Sequence, residues 1–415
     1  MKTSAVNTAS AGLRTTVGEL FLTFLKIGST AFGGGFMALI SVVQNYAVER
    51  RKWLSQEDML DGISLATILP GPVAVNVVAF VGYRVRGWSG ALASVLGVIL
   101  PSFLLMVTLS YAYFNYGQMP FVGNLFKGLL PAITAIIVAT AWNMGARTVR
   151  GGAEAAIALV AFLLLLGVGG FFITAVILTG GGIAGWLLFR PPASSASLPE
   201  SPTIVREDSV DSCQNDSYTR RSIHTVKTLP AICAGTAPLL GLSMTAAVKL
   251  FITFAGMSLL LFGGGYVIIP IIQQSVVNAY GWVTRQEFID GIALSQVMPG
   301  PILITAAFIG YKVAGVSGAA AATAGIFTPP AILMLICTGF FERIKKSETI
   351  KACMRGIRPT VIGMIALAAV VVGRTSEHNW ASLVIFVAAL AAQLRFKVEV
   401  VWIIPASGIA GLLLY

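Results

Sequence analysis

The chain has 415 residues, of which 56% are hydrophobic and only 11% are charged, and its mean hydropathy is +0.84. Soluble proteins carry about 25% charged residues, so this composition excludes an ordinary soluble domain and indicates a polytopic α-helical membrane protein. The net charge of +11 is scattered among apolar segments, which argues against nucleic-acid binding. It fits either lysine and arginine at cytoplasmic loops or a surface that concentrates an anionic substrate.

The sequence predicts no cofactor, no metal site and no enzymatic activity. The four cysteines form no C-x-x-C spacing, and the two histidines do not cluster. The sequence contains no G-x-x-x-x-G-K-[ST] motif and no recognisable pairing of acid and base residues, so we expect no catalytic residues. The first twenty residues lack the apolar segment and cleavage site of a signal peptide.

The first half, residues 1–190, predicts a series of helices with one interruption. A long helix over residues 20–48 carries FGGG at positions 32–35. A basic loop then leads into a broken segment over residues 55–86. Spanning helices follow over about 89–114, 128–146, 153–168 and 171–189, with a turn marked by Gly117, Pro120 and Gly123.

The broken segment contains DGISLATILPGP at residues 61–72. Proline blocks helix continuation and restricts the residue before it, and glycine adds backbone freedom. We therefore expect a helix that stops inside an apolar environment and restarts. Broken backbone at membrane depth is tolerated only where protein buries it or where it lines a water-filled cavity.

The second half, residues 241–415, repeats the first after a polar, Pro- and Ser-rich linker and lead-in over residues 191–240. FGGG returns at 262–265, the broken segment returns as DGIALSQVMPGP at 290–301, and FVGYRVRGWSGA at 80–91 returns as FIGYKVAGVSGA at 308–319. The offset stays between 228 and 230 residues throughout. The shared order and spacing indicate two homologous halves.

Loop charges predict that the two halves are inverted with respect to the membrane. If residues 55–86 form a re-entrant hairpin, the basic residues of the first half lie in loops on one side of the membrane. In the second half the equivalent loops are poor in basic residues, and the loops at the other ends of the helices are rich in them. We therefore expect an all-α fold of inverted repeats with about ten spanning helices plus two re-entrant or broken Pro-Gly-Pro hairpins. If the Pro-Gly-Pro segments cross fully, the count of crossings changes.

Inverted repeats with discontinuous helices are typical of secondary transporters. Pro72 and Pro301 suit the first position of a restarting helix, whose free N–H groups and positive end can bind an anion. The triple glycines can expose further N–H groups, with close helix packing as the alternative, and a plain kink is the alternative for each Pro-Gly-Pro. The predicted anion cradle comprises Gly33, Gly34, Gly35, Pro70, Gly71, Pro72, Asn76, Gly263, Gly264, Gly265, Pro299, Gly300, Pro301 and Thr305.

Further polar side chains near these motifs could donate to an anion or bond to their own helix carbonyls. They are Ser29, Thr30, Thr67, Ser258, Ser295 and Gln296. Five charged residues are candidates for gating or charge compensation: Lys26, Arg84, Lys312, Asp61 and Asp290. The alternatives are snorkelling for Lys26 and loop topology for Arg84 and Lys312. Asp61 and Asp290 could cap a helix, pair with a base or carry a coupling proton.

These repeated motifs resemble those of the chromate ion transporter family in its two-domain long form, over nearly all of both halves. The resemblance implies an inner-membrane protein that exports chromate and confers chromate resistance, with sulfate as the look-alike oxyanion and the bilayer as its other partner. A membrane potential that is negative inside favours exit of a dianion by about 4.6 kcal/mol per 100 mV. Sulfate uptake and an anion channel stay as alternatives, and a homodimer is one arrangement of subunits.

Overall fold

The computed structural model describes residues 15–30, 35–116, 120–167, 171–189, 246–262, 265–340, 347–374 and 379–415. Within these ranges the chain forms helices and no strand. The predicted linker at 191–240 lies outside them, as do Gly33, Gly34, Gly263 and Gly264. The described residues of both halves belong to one compact unit.

The helices of the first half follow the predicted order. They are α1 Val17–Thr30, α2 Gly35–Gln44 with a π-helical extension Asn45–Arg50, α3 Gln56–Ile68, α4 Val73–Tyr116, α5 Pro120–Thr148, α6 Gly152–Gly167 and α7 Phe171–Phe189. The helix predicted over residues 20–48 corresponds to α1 and α2. Because α5 begins at Pro120, Gly123 lies in a helix and not in the predicted turn.

The second half repeats this order. Its helices are α8 Ala246–Ser258, α9 Ile268–Ile272 flanked by the 3₁₀ turn Gly265–Val267 and the π-helical Gln273–Ala279, α10 Arg285–Val297, α11 Thr305–Thr338 preceded by the 3₁₀ turn Ile302–Ile304, α12 Glu348–Gly373, α13 Trp380–Leu394 and α14 Val400–Leu414. Even the caps correspond, because Ser55 caps α3 and Thr284 caps α10 by accepting hydrogen bonds from backbone N–H groups.

Each Pro-Gly-Pro segment lies at the tip of a short helical hairpin. Helix α3 has 13 residues, or about 20 Å, which is too short for the roughly 30 Å of a bilayer core. It packs against the first part of α4, where the ring of Phe80 leaves no room for a Cβ on Gly62. The chain therefore enters and returns, so the hairpin is re-entrant and does not cross fully.

Helix α4 is itself two helices joined by a sharp reversal. Gly87 has a φ of 62°, a conformation that costs any residue with a Cβ, and Arg86 before it is also non-helical. The backbones of Gly82 and Gly90 are then in contact. The second half repeats the reversal at Gly315, with a φ of 60°. This matches the predicted boundary between a broken segment ending near residue 86 and a spanning helix starting near residue 89.

The pairing of α5 with its equivalent α12 demonstrates the inversion. A Cβ on Gly145 would lie 3.8 Å from Ile362, and one on Gly373 would lie 3.2 Å from Thr134. Residue numbers rise along α5 while they fall along α12, so the equivalent helices run antiparallel. A two-fold axis that relates antiparallel helices lies in the plane of the membrane, which is the arrangement that the loop charges predict.

The two halves also exchange helices. Helix α5 packs among α13 and α14 of the second half, and α12 packs among α6 and α7 of the first. The closest approaches occupy equivalent positions: Gly128 of α5 contacts Gly411 of α14, and Gly356 of α12 contacts Gly185 of α7. Small residues at such crossings allow backbones to approach closely. We call α5–α7 with α12–α14 the exchange group, and α1–α4 with α8–α11 the hairpin group.

Four helical segments are long and apolar enough to cross a membrane by length and composition, within the described ranges. They are Val73–Tyr116, Gly123–Thr148, Ile302–Thr338 and Glu348–Gly373. Large apolar side chains on the outer surface are exposed, including Trp142 at 68% and Leu413 at 80%. Such exposure is expected where lipid, and not water, surrounds the helices. The protein is therefore a multi-pass membrane protein.

Candidate functional site

The two breaks, residues 69–72 and 298–301, have the same backbone conformation. Gly71 has a φ of 114° and Gly300 has a φ of 115°, values that side chains with a Cβ rarely adopt. The residues that end the preceding helices, Leu69 and Met298, are both extended. The repeated Pro-Gly-Pro sequence therefore folds the same way in both halves.

Each break packs against the opposite half of the protein. A Cβ on Gly71 would overlap Pro330 of α11, and a Cβ on Gly300 would overlap Ser102 of α4. Pro330 and Ser102 are themselves equivalent residues. The Ser102 hydroxyl donates a hydrogen bond of 2.6 Å to the carbonyl of Pro299 and so satisfies a buried carbonyl of the second break. The two breaks thus lie at the interface of the halves.

The described residues at the two ends of the second FGGG segment, Leu261 and Gly265, contact the first break and the restart of the second half. The N–H of Gly71 donates a 2.6 Å hydrogen bond to the carbonyl of Leu261, just before that segment. At its other end, Gly265 contacts the side chain of Ile302 in the restart of the second half. A small cavity adjoins this contact. Its lining is Gly265, Ile268, Ile269, Ile272, Phe288, Ile292, Ile302 and Thr305.

The helix restart in the first half is buried. Val73, Ala74 and Val75 are at most 4% exposed, and the first N–H groups of a helix have no partner within it. Asn76 follows in the same turn and is 0% exposed. Its Nδ2 donates to the carbonyl of Pro70 at 3.3 Å, whereas its Oδ1 has no hydrogen-bond partner among the described residues. The predicted residues Pro70, Gly71, Pro72 and Asn76 therefore come together.

The restart in the second half differs in one respect. Pro301 precedes a single 3₁₀ turn before α11 begins, so the equivalent of Asn76 is Thr305 at the start of the α-helix. The Thr305 hydroxyl is buried and donates to the carbonyl of Ile302 at 2.8 Å. Gly35 is the first residue of α2, and the structure does not describe Gly33 and Gly34 beside it.

Most of the other polar candidates bond to their own helices. The hydroxyls of Ser29, Thr30, Thr67, Ser258 and Ser295 each donate to a carbonyl three or four residues earlier. Gln296 instead exchanges hydrogen bonds of 3.1 and 3.3 Å with the hydroxyl of Tyr266. In the structure, these five hydroxyls therefore bond to carbonyls of their own helices, which is the second of the two alternatives given by the sequence.

Arg84 and Lys312 form equivalent ion pairs at the outer ends of the hairpins. Arg84 pairs with Asp58 and Lys312 pairs with Glu287 at 2.9 Å, and each pair joins the two arms of one hairpin. Burial alone would raise the pKa of Glu287, but hydrogen bonds from Thr284 and Lys312 and the lysine charge hold that pKa below its usual value. Arg84 and Lys312, two of the candidates for gating or charge compensation, are therefore each paired with a carboxylate.

The remaining charged candidates lie in different surroundings. Asp290 is 4% exposed and accepts hydrogen bonds from the Tyr113 hydroxyl at 2.6 Å and from Gln286 Nε2 at 2.9 Å. Its equivalent Asp61 is only partly buried, and Lys26 is exposed on α1. The structure does not bring these three together.

Sequence reasoning missed Ser102 and Tyr113, although both bond across the halves. Each lies on α4, more than 170 residues before its partner in the sequence, so no local pattern points to the contact. The signal for Ser102 was its position directly after Pro101. The equivalent position in the second half, directly after Pro329, is Pro330. Among the described residues there is no group of three or more His, Cys, Asp or Glu side chains that could hold a metal ion.

The sequence profile of a family described as Chromate transporter matches residues 18–186 and 248–412, which are the two halves. A probable chromate transport protein of Synechococcus elongatus is 30% identical over 94% of this chain and 94% of its own length. A chromate transport protein of Pseudomonas aeruginosa is 31% identical over 96% of this chain and 92% of its own length. A shorter, uncharacterized transporter of Bacillus subtilis matches 32% of this chain over 73% of its own length, at 30% identity. No solved structure matches the chain.

Proposed function

Because the chain belongs to the chromate transporter family, we propose that it is a secondary transporter that exports chromate across the inner membrane and so confers chromate resistance. The observation that carries this proposal is the packing of each of two equivalent helix breaks against the opposite inverted half. In secondary transporters, discontinuous helices of this kind typically form the substrate and ion sites. The proposed activity is transport without catalysis.

Chromate fits the chemistry of the breaks. An oxyanion needs several hydrogen-bond donors, and a helix restart offers backbone N–H groups together with about half a positive charge. Leu261 contacts Gly71 of the first break, and Gly265 contacts Ile302 of the second restart. The inside-negative potential drives an anion outward, so export needs no ATP.

The test is chromate accumulation in inverted membrane vesicles that contain the full-length protein. We expect accumulation above that of vesicles without the protein, increased by a potential that is positive inside the vesicle, because inversion turns export into uptake. Counterflow of labelled chromate against unlabelled chromate distinguishes a transporter from a channel. Vesicles that accumulate no more chromate than controls would contradict the proposal, and potential-driven sulfate movement alone would assign the protein to sulfate.

Substitutions locate the site. Gly71→Leu and Gly300→Leu each place a side chain where Pro330 or Ser102 already stands, so we expect transport to be lost in both. Gly180→Leu is the matched control, because that helical glycine has nothing within 4 Å of an added Cβ. Membrane insertion of all three is checked by a C-terminal fluorescent tag. Normal transport in both break variants would show that the breaks are not the site.

A further inference from the structure

Asn76 is a buried polar group that the helix restart itself does not need. Its backbone N–H already donates to the carbonyl of Pro72, and its Nδ2 donates to the carbonyl of Pro70. Its Oδ1 lies in the same buried turn with no partner among the described residues. Because a helical side chain tilts toward the N-terminus of its helix, this amide faces the break. A buried acceptor without a donor is rare in native proteins and requires a donor from water or from a ligand.

The orientation of the amide follows from its surroundings. A flipped amide would place its oxygen against the carbonyl of Pro70, and two acceptors would then face each other at 3.3 Å. With the nitrogen on Pro70, the oxygen remains as the acceptor. The break therefore offers donors, from the N–H groups of Val73 and Ala74, beside one acceptor.

The charge of the site favours a ligand with a single negative charge. The helix restart at the first break supplies about half a positive charge, which suits a monoanion better than a dianion. The charged residues on the described elements around the first break lie away from it. The nearest along α3, Asp61, is eight residues or about 12 Å before Leu69. The others on α3, α4, α8 and α11 are Glu57, Asp58, Arg84, Arg86, Lys249 and Lys312, and α1, which packs against the second part of α4, carries Glu19 and Lys26.

From these two observations we propose that the first break binds the singly protonated oxyanion, in a refinement that rests on the proposed function. The N–H groups at the restart of α4 donate to the charged oxygens, and Asn76 Oδ1 accepts the hydrogen bond of the single hydroxyl. Hydrogenchromate exists in quantity near neutral pH, whereas sulfate and selenate are protonated only in strong acid. A site built around a ligand hydroxyl rejects analogues that lack one, because its acceptor is then left unpaired.

Selenate is the critical probe, because it matches chromate in shape and charge but stays a dianion. In proteoliposomes of the full-length protein between pH 6 and 8.5, we expect the apparent KM for total chromate to rise about tenfold per pH unit above the pKa of hydrogenchromate. Selenate and sulfate should compete weakly at every pH. The pH dependence of the selenate inhibition constant reports titration of the protein itself and is subtracted.

Asn76→Thr tests the residue. The second half already has Thr305 at this position, so a helix restart accommodates threonine. We expect the variant to lose much of the pH dependence of KM and to admit selenate several-fold better relative to chromate. Ser94→Ala is the control, since Ser94 Oγ is also buried and unpartnered among the described residues but belongs to the α4 reversal, near Gly82. It should keep the wild-type pattern.

Three results separate the hypotheses. A flat KM with selenate competing as well as chromate would overturn the protonated-ligand inference while leaving chromate transport intact. An Asn76→Thr variant with the wild-type pH slope and selectivity would remove Asn76 from the site. A wild-type protein that moves no chromate at any pH would contradict the proposed function itself.

Discussion

At the scale of single residues, the glycines of the chain are constrained in two separable ways. Gly71 combines a φ of 114° with a neighbour, Pro330, that occupies the space of a Cβ. Gly87 has a φ of 62° but nothing within 4 Å of an added Cβ. Gly123 is helical and also has open space. The three positions therefore allow backbone strain and steric overlap to be measured independently.

Alanine substitutions at these positions should give graded losses of stability. We expect Gly123→Ala to be neutral or slightly stabilising, since alanine favours a helix by up to about 1 kcal/mol. Gly87→Ala should cost about 1–2 kcal/mol from the left-handed backbone alone. Gly71→Ala should cost more, because Pro330 must also move. Unfolding of the purified protein in detergent measures this series, and equal losses at Gly71 and Gly87 would contradict it.

The repeated Pro-Gly-Pro motifs were readable from the sequence because proline and glycine act on their own backbone. The hairpins and the reversals near residues 87 and 315 follow from such local signals. The contacts of Ser102 with Pro299 and of Asp290 with Tyr113 were not readable, since each depends on packing between elements distant in the chain. The serine and threonine hydroxyls were hard to assign for a different reason. A carbonyl of the same helix is always within their reach, so the sequence alone does not distinguish such a bond from a bond to a ligand.

At the scale of elements, each re-entrant hairpin is held at three levels. A capped helix start, an apolar contact between its arms and an ion pair across its open end recur in both halves. In the first half the ion pair is Asp58 with Arg84, whose side chains are 35% and 45% exposed. Ion pairs this exposed are screened by water and contribute about 0–1 kcal/mol. They orient the arms more than they stabilise the fold.

Breaking both ion pairs should therefore change stability little. We expect Arg84→Gln with Lys312→Gln to lower the free energy of unfolding by about 1 kcal/mol in total at neutral pH. Because the carboxyl pKa of Glu287 is lowered in the folded state, its contribution is present above its ordinary pKa and is lost as the pH falls through the lower folded value. Wild type and double variant should thus differ equally at pH 6 and pH 8. A loss of several kcal/mol would show that these ion pairs stabilise the fold more than expected for such exposed pairs.

At the scale of the whole molecule, the halves are bound by reciprocal contacts. Arg355 of the second half packs over the ring of Phe189 at 4.3 Å and bonds to the buried Glu154 at 3.0 Å. Its equivalent, Lys127, packs over the ring of Tyr415 at 5.4 Å. Each half thus covers apolar helix surface that belongs to the other, and neither half contains a complete core.

A chain divided within residues 191–240 tests this dependence. Each half expressed alone should be degraded or insoluble in mild detergent, because α5 or α12 lacks the helices that surround it. Co-expression of both halves should restore a complex that purifies through a tag on one half and transports like the intact chain. Two halves that are separately stable and monodisperse would contradict the importance of the exchange.

The exchange also determines which parts can move as rigid bodies. Helices pack extensively within the hairpin group and within the exchange group, and more sparsely between the two. Each group takes an equal share from both repeats, so we expect rocking between the two groups, whose boundary does not follow the boundary between the duplicated sequences. A cross-link between Gly145 and Ile362 would tie the repeats together yet leave such rocking free, whereas one between α10 and α14 would stop it. Duplication thus accounts for the two-fold symmetry of the protein, and the interleaved helices set the boundary at which we expect it to move.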